Sequence, residues 1–250
     1  MNSLYQKKDN LIDTWNSVSG LYEEKQYWAA PENVANLEIL LSLIGNPKGQ
    51  EIIEVGCGSG FTSAEFARRG ARCALIDISP IALETARKAF VASGLEEPQC
   101  FNEDALASTV ESGSYDLVWN GGVIEHFYDE GKELLLKEML HMCKPGGLVI
   151  VTVPNRWCLQ FQAVQWWQKV TGTWRYGFED DMSPRRLMRL CKKIGIRSGS
   201  ASAFNPVLGW RWVPIARRFL NTLKCETVEK HRQPSVIGFL SVLSIRKPLD

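Results

Sequence analysis

Residues 51–70 read EIIEVGCGSGFTSAEFARRG: a short strand-like run, glycines at 56, 58 and 60, and then a run of helical composition. Ile52, Ile53 and Val55 fall on both faces of any strand, so both faces must be covered, as happens inside a parallel sheet flanked by helices. Glycine at every second position permits backbone angles that other residues avoid. It also brings a ligand against bare main chain, at a helix N-terminus and the carboxyl edge of a sheet. A plain structural corner between strand and helix would use the same residues.

The alternation continues along the chain. Apolar runs at 51–55, 72–78, 99–102, 115–120 and 146–154 predict strands, and patterns at 61–70, 79–94 and 129–147 predict the helices between them. Such βαβ units build a parallel sheet with right-handed crossovers, covered on both faces. Residues 10–45 predict helices, with Pro31 in a first turn and Gly45 as a stop. The rhythm breaks over 155–182 and resumes with a helix at 183–195, where Ser183 is the expected N-cap and Pro184 the first-turn residue. Strands are expected near 197–204 and 236–246, with a helix of mixed aromatic and basic character near 210–224 between them.

A chain of 250 residues, 45% hydrophobic, supports one full-sized core. Its seven cysteines include no CxxC pair and its three histidines lack zinc-finger spacing, so a reduced, cytoplasmic protein is expected. No N-terminal apolar segment and no run of 18 uninterrupted apolar residues points to secretion or a membrane span. The net charge of +1 hides an asymmetry: Lys+Arg against Asp+Glu is 12 to 22 over residues 1–155 but 15 to 5 over 156–235. A basic rear half meets an anionic partner such as a phosphate, a nucleic acid or a lipid headgroup, or it is an ordinary solvated face.

The spacing of the glycine turn narrows the ligand. A dinucleotide fingerprint is GxGxxG, whereas this turn is GxGxG with Phe61 where the last glycine would stand. Glu54 precedes the first glycine by two, and an acid at that mouth suits an amino-bearing ligand better than a pyrophosphate. Asp77 ends the second strand, where a carboxylate can accept hydrogen bonds from both ribose hydroxyls. Asp104 follows the third strand, placed for an adenine amino group, and Asn120 ends the fourth facing the same crevice. Singly, each acid could be a cap or a loop residue; the series at successive strand ends is the stronger signal.

The runs EVGCGSG (54–60), LIDIS (75–79), NEDA (102–105), YDLVWNGGVIEHF (115–127) and CKPGGLVIVTVPN (143–155) together resemble the class I S-adenosylmethionine-dependent methyltransferases. The resemblance spans about residues 50–155, with a weaker echo at 182–196. It implies an α/β fold, a Rossmann-like seven-stranded sheet that is mostly parallel with an antiparallel last strand. It also implies S-adenosyl-L-methionine across the strand ends. By position, Glu54, Gly56, Gly58 and Gly60 would surround its methionine part, with Cys57 contributing backbone only. Asp77 and Ile78 would meet the ribose, Asp104 and Ala105 the adenine, and Asn120 the amino end. GVIEHF looks most like the branch that methylates small molecules, including ubiquinone-pathway O-methyltransferases. The expected organisation is a helical lid over 1–48, the cofactor-binding core over 49–155, an insertion at 156–182 forming the acceptor pocket or its lid, and the rest of the same domain over 183–250.

A methyl already activated on a sulfonium needs mainly a positioned nucleophile and exclusion of water. A hydroxyl acceptor would also gain from a base. His126, beside Glu125, is the candidate for that role; the alternative is that it caps the helix over the pocket. Some quinone-pathway relatives are thought to use a divalent metal here, for which Glu125, His126 and Asp129 would be donors, but no metal is expected. Six of the nine tryptophans (157, 166, 167, 174, 210 and 212) lie in the insertion and the 210–224 segment. They predict a pocket for a small aromatic or lipid-like acceptor and, with Arg211, Arg217, Arg218 and Lys224, peripheral contact with an anionic membrane over 156–224. Trp15, Tyr22, Tyr27 and Trp28 are expected to close over the cofactor. Stacking on nucleic acid ranks lower, because the basic residues form no continuous run. A protein or RNA methyltransferase, an NAD-dependent oxidoreductase and a non-catalytic cofactor-binding module remain as alternatives.

Overall fold

A computed structural model describes residues 8–206, 208–213, 216 and 237–249. Three helices precede the sheet: α1 (Lys8–Ser19), α2 (Glu24–Ala29) and α3 (Pro31–Ile44). There follow β1 (Glu51–Val55), α4 (Phe61–Arg68), β2 (Arg72–Asp77), α5 (Pro80–Ala92), β3 (Gln99–Asn102), β4 (Tyr115–Gly121), α6 (Asp129–Met142) and β5 (Cys143–Pro154). The chain is completed by α7 (Leu159–Val170), α8 (Pro184–Lys193), β6 (Gly199–Phe204) and β7 (Leu240–Arg246). The strands form one sheet in the order β3-β2-β1-β4-β5-β7-β6. β1 to β5 pair in parallel, and β7 inserts antiparallel between β5 and β6. The strand order reverses at β1 and β4, which is where α/β sheets open a crevice at their carboxyl edge.

Period-two alternation puts β1 residues into two cores. Ile53 and Val55 join Val118, Met139, Val149 and Leu187 on the face covered by α6 and α8. Ile52 joins Ile39, Phe66, Leu117 and Trp119 on the other, under α3 and α4. Both isoleucines have no exposed surface, and each such burial contributes about 1.5–3 kcal/mol. The continuous apolar run of the first strand is thus explained by two covered faces.

Two local expectations change. β5 begins at Cys143 rather than at 146, because Cys143 pairs with Tyr115 before a register shift interrupts the ladder. Ser183 holds the N-cap position of α8 with extended backbone, but its side chain makes no capping bond, whereas Ser79 accepts from the Ala82 amide at 3.1 Å at the start of α5. The helix expected near 210–224 falls mostly outside the described residues; what is described there is a short 3-10 turn, Leu208–Trp212. No helix among the described residues is long and apolar enough to cross a membrane, and the six cysteines among them are free.

Candidate active site

At the carboxyl ends of β1, β2 and β4 lies a cavity of about 430 Å³. Gly56, Gly58 and Gly60 form its floor turn at φ of +69, +51 and +63, angles that L side chains rarely adopt. The three glycines differ in purpose. A Cβ on Gly56 would stand 2.5 Å from Val123 Cγ2, and one on Gly60 would stand 2.7 Å from Ala86 Cβ, so these two permit close packing. A Cβ on Gly58 would meet only the Tyr22 ring, at 3.5 Å. Gly58 therefore keeps the wall bare, while Gly60 joins α4 to α5 and does not line the cavity.

Asp77 fixes this turn. Its Oδ2 accepts from the Gly58 amide at 2.9 Å and its Oδ1 from the Ser79 amide at 2.8 Å. Burial holds its carboxyl above the usual range even though these donors pull it down. Glu54 is also buried, accepts from Ser63 Oγ at 2.5 Å, and is pushed up to about 8 by burial. Cys57, Ile78, Asp104 and Ala105 line the cavity with them, and Asp104 Oδ1 accepts from the Leu106 amide at 3.0 Å.

Asn120 departs from expectation. Strand alternation turns its side chain away from the cavity, where Nδ2 reaches Met139 Sδ at 3.2 Å, and Trp119 and Gly121 line the cavity instead.

Beyond Gly122 the chain makes one 3-10 turn, Ile124–His126, which brings Glu125 and His126 to the cavity with 1% and 6% exposure. A segment of the insertion straps across them: the Phe178 carbonyl is 2.8 Å from His126 Nδ1, and the Asp180 amide donates to the Glu125 carbonyl at 2.9 Å. Burial pushes the imidazole down to about 4, so at neutral pH it is uncharged. A carbonyl at Nδ1 selects the Nδ1–H tautomer and leaves the lone pair on Nε2, 3.9 Å from Glu179 Oε1. Asp129 does not converge on this point; its exposed carboxylate pairs with Arg186 at 2.9 Å. Among the described residues no three metal-capable side chains come together.

The roof is aromatic. Trp15 packs edge-on against His126 at 4.9 Å, Tyr27 donates to or accepts from Thr62 Oγ1 at 2.8 Å and packs on Phe61, and Phe161, Trp174 and Trp212 wall the far side. Trp28 packs instead into the core under α3. Sequence reasoning missed Glu179 and Asp181, whose signal was an acidic triplet in an otherwise basic stretch: Glu179, Asp180 and Asp181 supply three of its five acidic residues. The arrangement couples a polar, backbone-lined slot to an aromatic chamber with one neutral imidazole, which suits binding two small molecules side by side.

Residues 52–147 match a family described as a methyltransferase domain. The chain is 30% identical over 180 residues to a ubiquinone biosynthesis O-methyltransferase of Cereibacter sphaeroides, covering 68% of this chain and 70% of that protein. It is 34% identical over 113 residues to a chloroplastic tocopherol O-methyltransferase of Arabidopsis thaliana, covering 44% of this chain but only 31% of the relative. The fold is shared with a Thermotoga maritima structure described as an S-adenosylmethionine-dependent methyltransferase and possible histamine N-methyltransferase. The TM-score is 0.67 at 16% identity, over 94% of this chain and 99% of that one.

Proposed function

Because the chain belongs to the class I S-adenosylmethionine-dependent methyltransferases, we propose that it methylates a hydroxyl of a small aromatic or lipid-like acceptor. The observation that carries this reading is the single cavity joining the Asp77 turn to His126. Membership of this family sets aside the oxidoreductase alternative.

The residues present fit the cofactor. A bare turn that a Cβ would narrow, a buried carboxylate with unused lone pairs at Asp77, and a second acid at Glu54 match an adenosyl and amino acid ligand. Asp77 and Ile78 would hold the ribose, Asp104 and Ala105 the adenine, and Glu54 with the Gly56–Gly58 backbone the amino acid part. When bound, the cofactor supplies a methyl group on a sulfonium, already activated towards nucleophiles. The chain's own task is placement: Trp15, Tyr22 and Tyr27 exclude water from above, and the aromatic far wall seats the acceptor beside the slot. His126 Nε2 accepts the hydroxyl proton as the oxygen becomes nucleophilic, and the Phe178 carbonyl keeps the ring in the tautomer that allows it.

Two measurements test this reading. S-adenosylhomocysteine should bind the purified chain. His126→Ala should then lower kcat by roughly 100-fold or more with that affinity unchanged. A loss below about 5-fold would leave His126 a purely structural role.

The surface of α7 supports a supply route for the acceptor. Phe161 and Gln165 face inward, whereas Leu159, Trp166, Trp167 and Val170, on one helical stripe, are 60–69% exposed. The apolar face of this helix points outward, the reverse of an ordinary surface helix. Arg156 and Lys169 flank the stripe, so an anionic lipid surface is the partner whose chemistry matches both. The part of this expectation resting on 214–224 lies largely outside the described residues. Sedimentation with phosphatidylglycerol vesicles should show binding that salt weakens and that Trp166→Ala/Trp167→Ala lowers roughly tenfold, at about 1 kcal/mol or less per ring. Equal recovery of the variant with vesicles would remove this route.

A further inference from the structure

The corner behind His126 holds more buried acid than the mechanism uses. Glu125 lines the cavity, is 1% exposed, and its Oε2 has no hydrogen-bond partner. Glu179 lines the same cavity; its Oε2 accepts from Gln165 Nε2 at 2.8 Å, and its Oε1 stands 3.9 Å from His126 Nε2. Asp181 lies behind, with Oδ2 accepting from Gln162 at 2.6 Å and from Gln165 at 3.2 Å while Oδ1 is buried without a partner. The lysines that act on these acids are engaged elsewhere. Lys132 donates to Asp180 and to the Phe127 carbonyl, both at 2.7 Å, and exposed Lys169 sits 5.5 Å from the Trp174 ring centroid. A buried carboxyl oxygen without a donor costs about 1–3 kcal/mol, and this corner carries two.

We propose that this corner is the seat of a protonated amine on the acceptor, with the ammonium donating to Glu125 Oε2 and Glu179 among the rings of Trp15, Trp174 and Tyr176. The inference deepens the reading given above and rests on it: the acceptor is a hydroxyl compound that also carries a basic nitrogen. An ammonium supplies the donor that Glu125 Oε2 lacks, and the surrounding aromatic rings attract a desolvated cation. A metal ion fits less well, since no three metal-capable side chains among the described residues converge.

The seat is linked to protons. Burial and the neighbouring Glu179 and Asp181 hold Glu125 well above the carboxylate range, against the pull of Lys132. Burial and Asp181 push Glu179 up to about 8 against the pull of Lys169, and burial together with Glu179 raises Tyr176. His126 is neutral. Before an ammonium arrives Glu179 is largely protonated at neutral pH, and seating the cation releases its proton. Affinity should therefore rise with pH up to about 8.

The test uses the full chain saturated with S-adenosylhomocysteine and two probes of one shape, phenethylammonium and uncharged 2-phenylethanol. Calorimetry should find the ammonium bound at least about tenfold more tightly, with a heat that changes with the buffer's ionisation enthalpy because protons are released. Glu125→Gln/Glu179→Gln should abolish both the preference and the release. Glutamine keeps the shape of each carboxyl side chain without its ionisable proton, so an unchanged melting transition is the expected check on folding. Equal affinity for the two probes, no ammonium binding at about 10 mM, or a preference that survives in the double variant would overturn the proposal. So would Mg²⁺ displacing the same protons while phenethylammonium fails to compete. Failure of S-adenosylhomocysteine to bind would count against the methyltransferase reading instead; the probe titration repeated without it still decides the amine seat.

Discussion

Asp77→Asn is expected to weaken S-adenosylhomocysteine binding roughly 100-fold while leaving the sheet intact. The carboxylate does two things at once. It holds the glycine turn through the Gly58 and Ser79 amides at 2.9 and 2.8 Å, and it faces the cavity where two ribose hydroxyls would donate. Each hydrogen bond to a charged acceptor contributes about 1.5–3 kcal/mol, so losing the charge and one accepting position removes about 3 kcal/mol. At about 1.4 kcal/mol per factor of ten, that is roughly two orders of magnitude. Isothermal titration against the parent chain reads the effect. A variant that folds normally and binds within about twofold of the parent would show that ribose recognition lies elsewhere.

The strands and most of the cavity floor were legible because their cause is local. EIIEV must be buried on both faces, the glycines must turn, and acids at successive strand ends fall on one edge of a parallel sheet. The Asn120 side chain turns away for an equally local reason: Gly121 and Trp119 flank it, and alternation gives the cavity to them. Glu179 and Asp181 could not be read from position, since they reach Glu125 and His126 through a strap 52 residues further along the chain. Only the tertiary fold makes Glu179, one of an acidic triplet in a basic stretch, part of the chamber's wall. The outward apolar stripe of α7 is similar: the tryptophans were visible in the sequence, but which of them face inward depends on Phe161 packing against Trp212 and Phe239.

The glycine turn yields the second large effect, and it separates two kinds of glycine that the sequence writes identically. Gly56→Ala places a Cβ 2.5 Å from Val123 Cγ2 at a φ of +69. The backbone strain costs of order 1–3 kcal/mol and the overpacking another 1–3. A loss of about 2–6 kcal/mol is a large share of a domain's usual 5–15 and should lower the melting temperature by roughly 4–24 °C. Val123→Ala added to it should restore only the packing part, because φ stays positive. Gly58→Ala carries the strain without the clash, its Cβ meeting only Tyr22 at 3.5 Å, so it should melt closer to the parent. Its new methyl narrows the slot, however, and cofactor binding should fall by more than stability does. Melting curves and titrations on the four proteins give this crossed pattern if Gly56 serves packing and Gly58 serves the ligand. Equal melting of Gly56→Ala and Gly58→Ala would show instead that backbone conformation alone, and not the contact with Val123, fixes glycine at position 56.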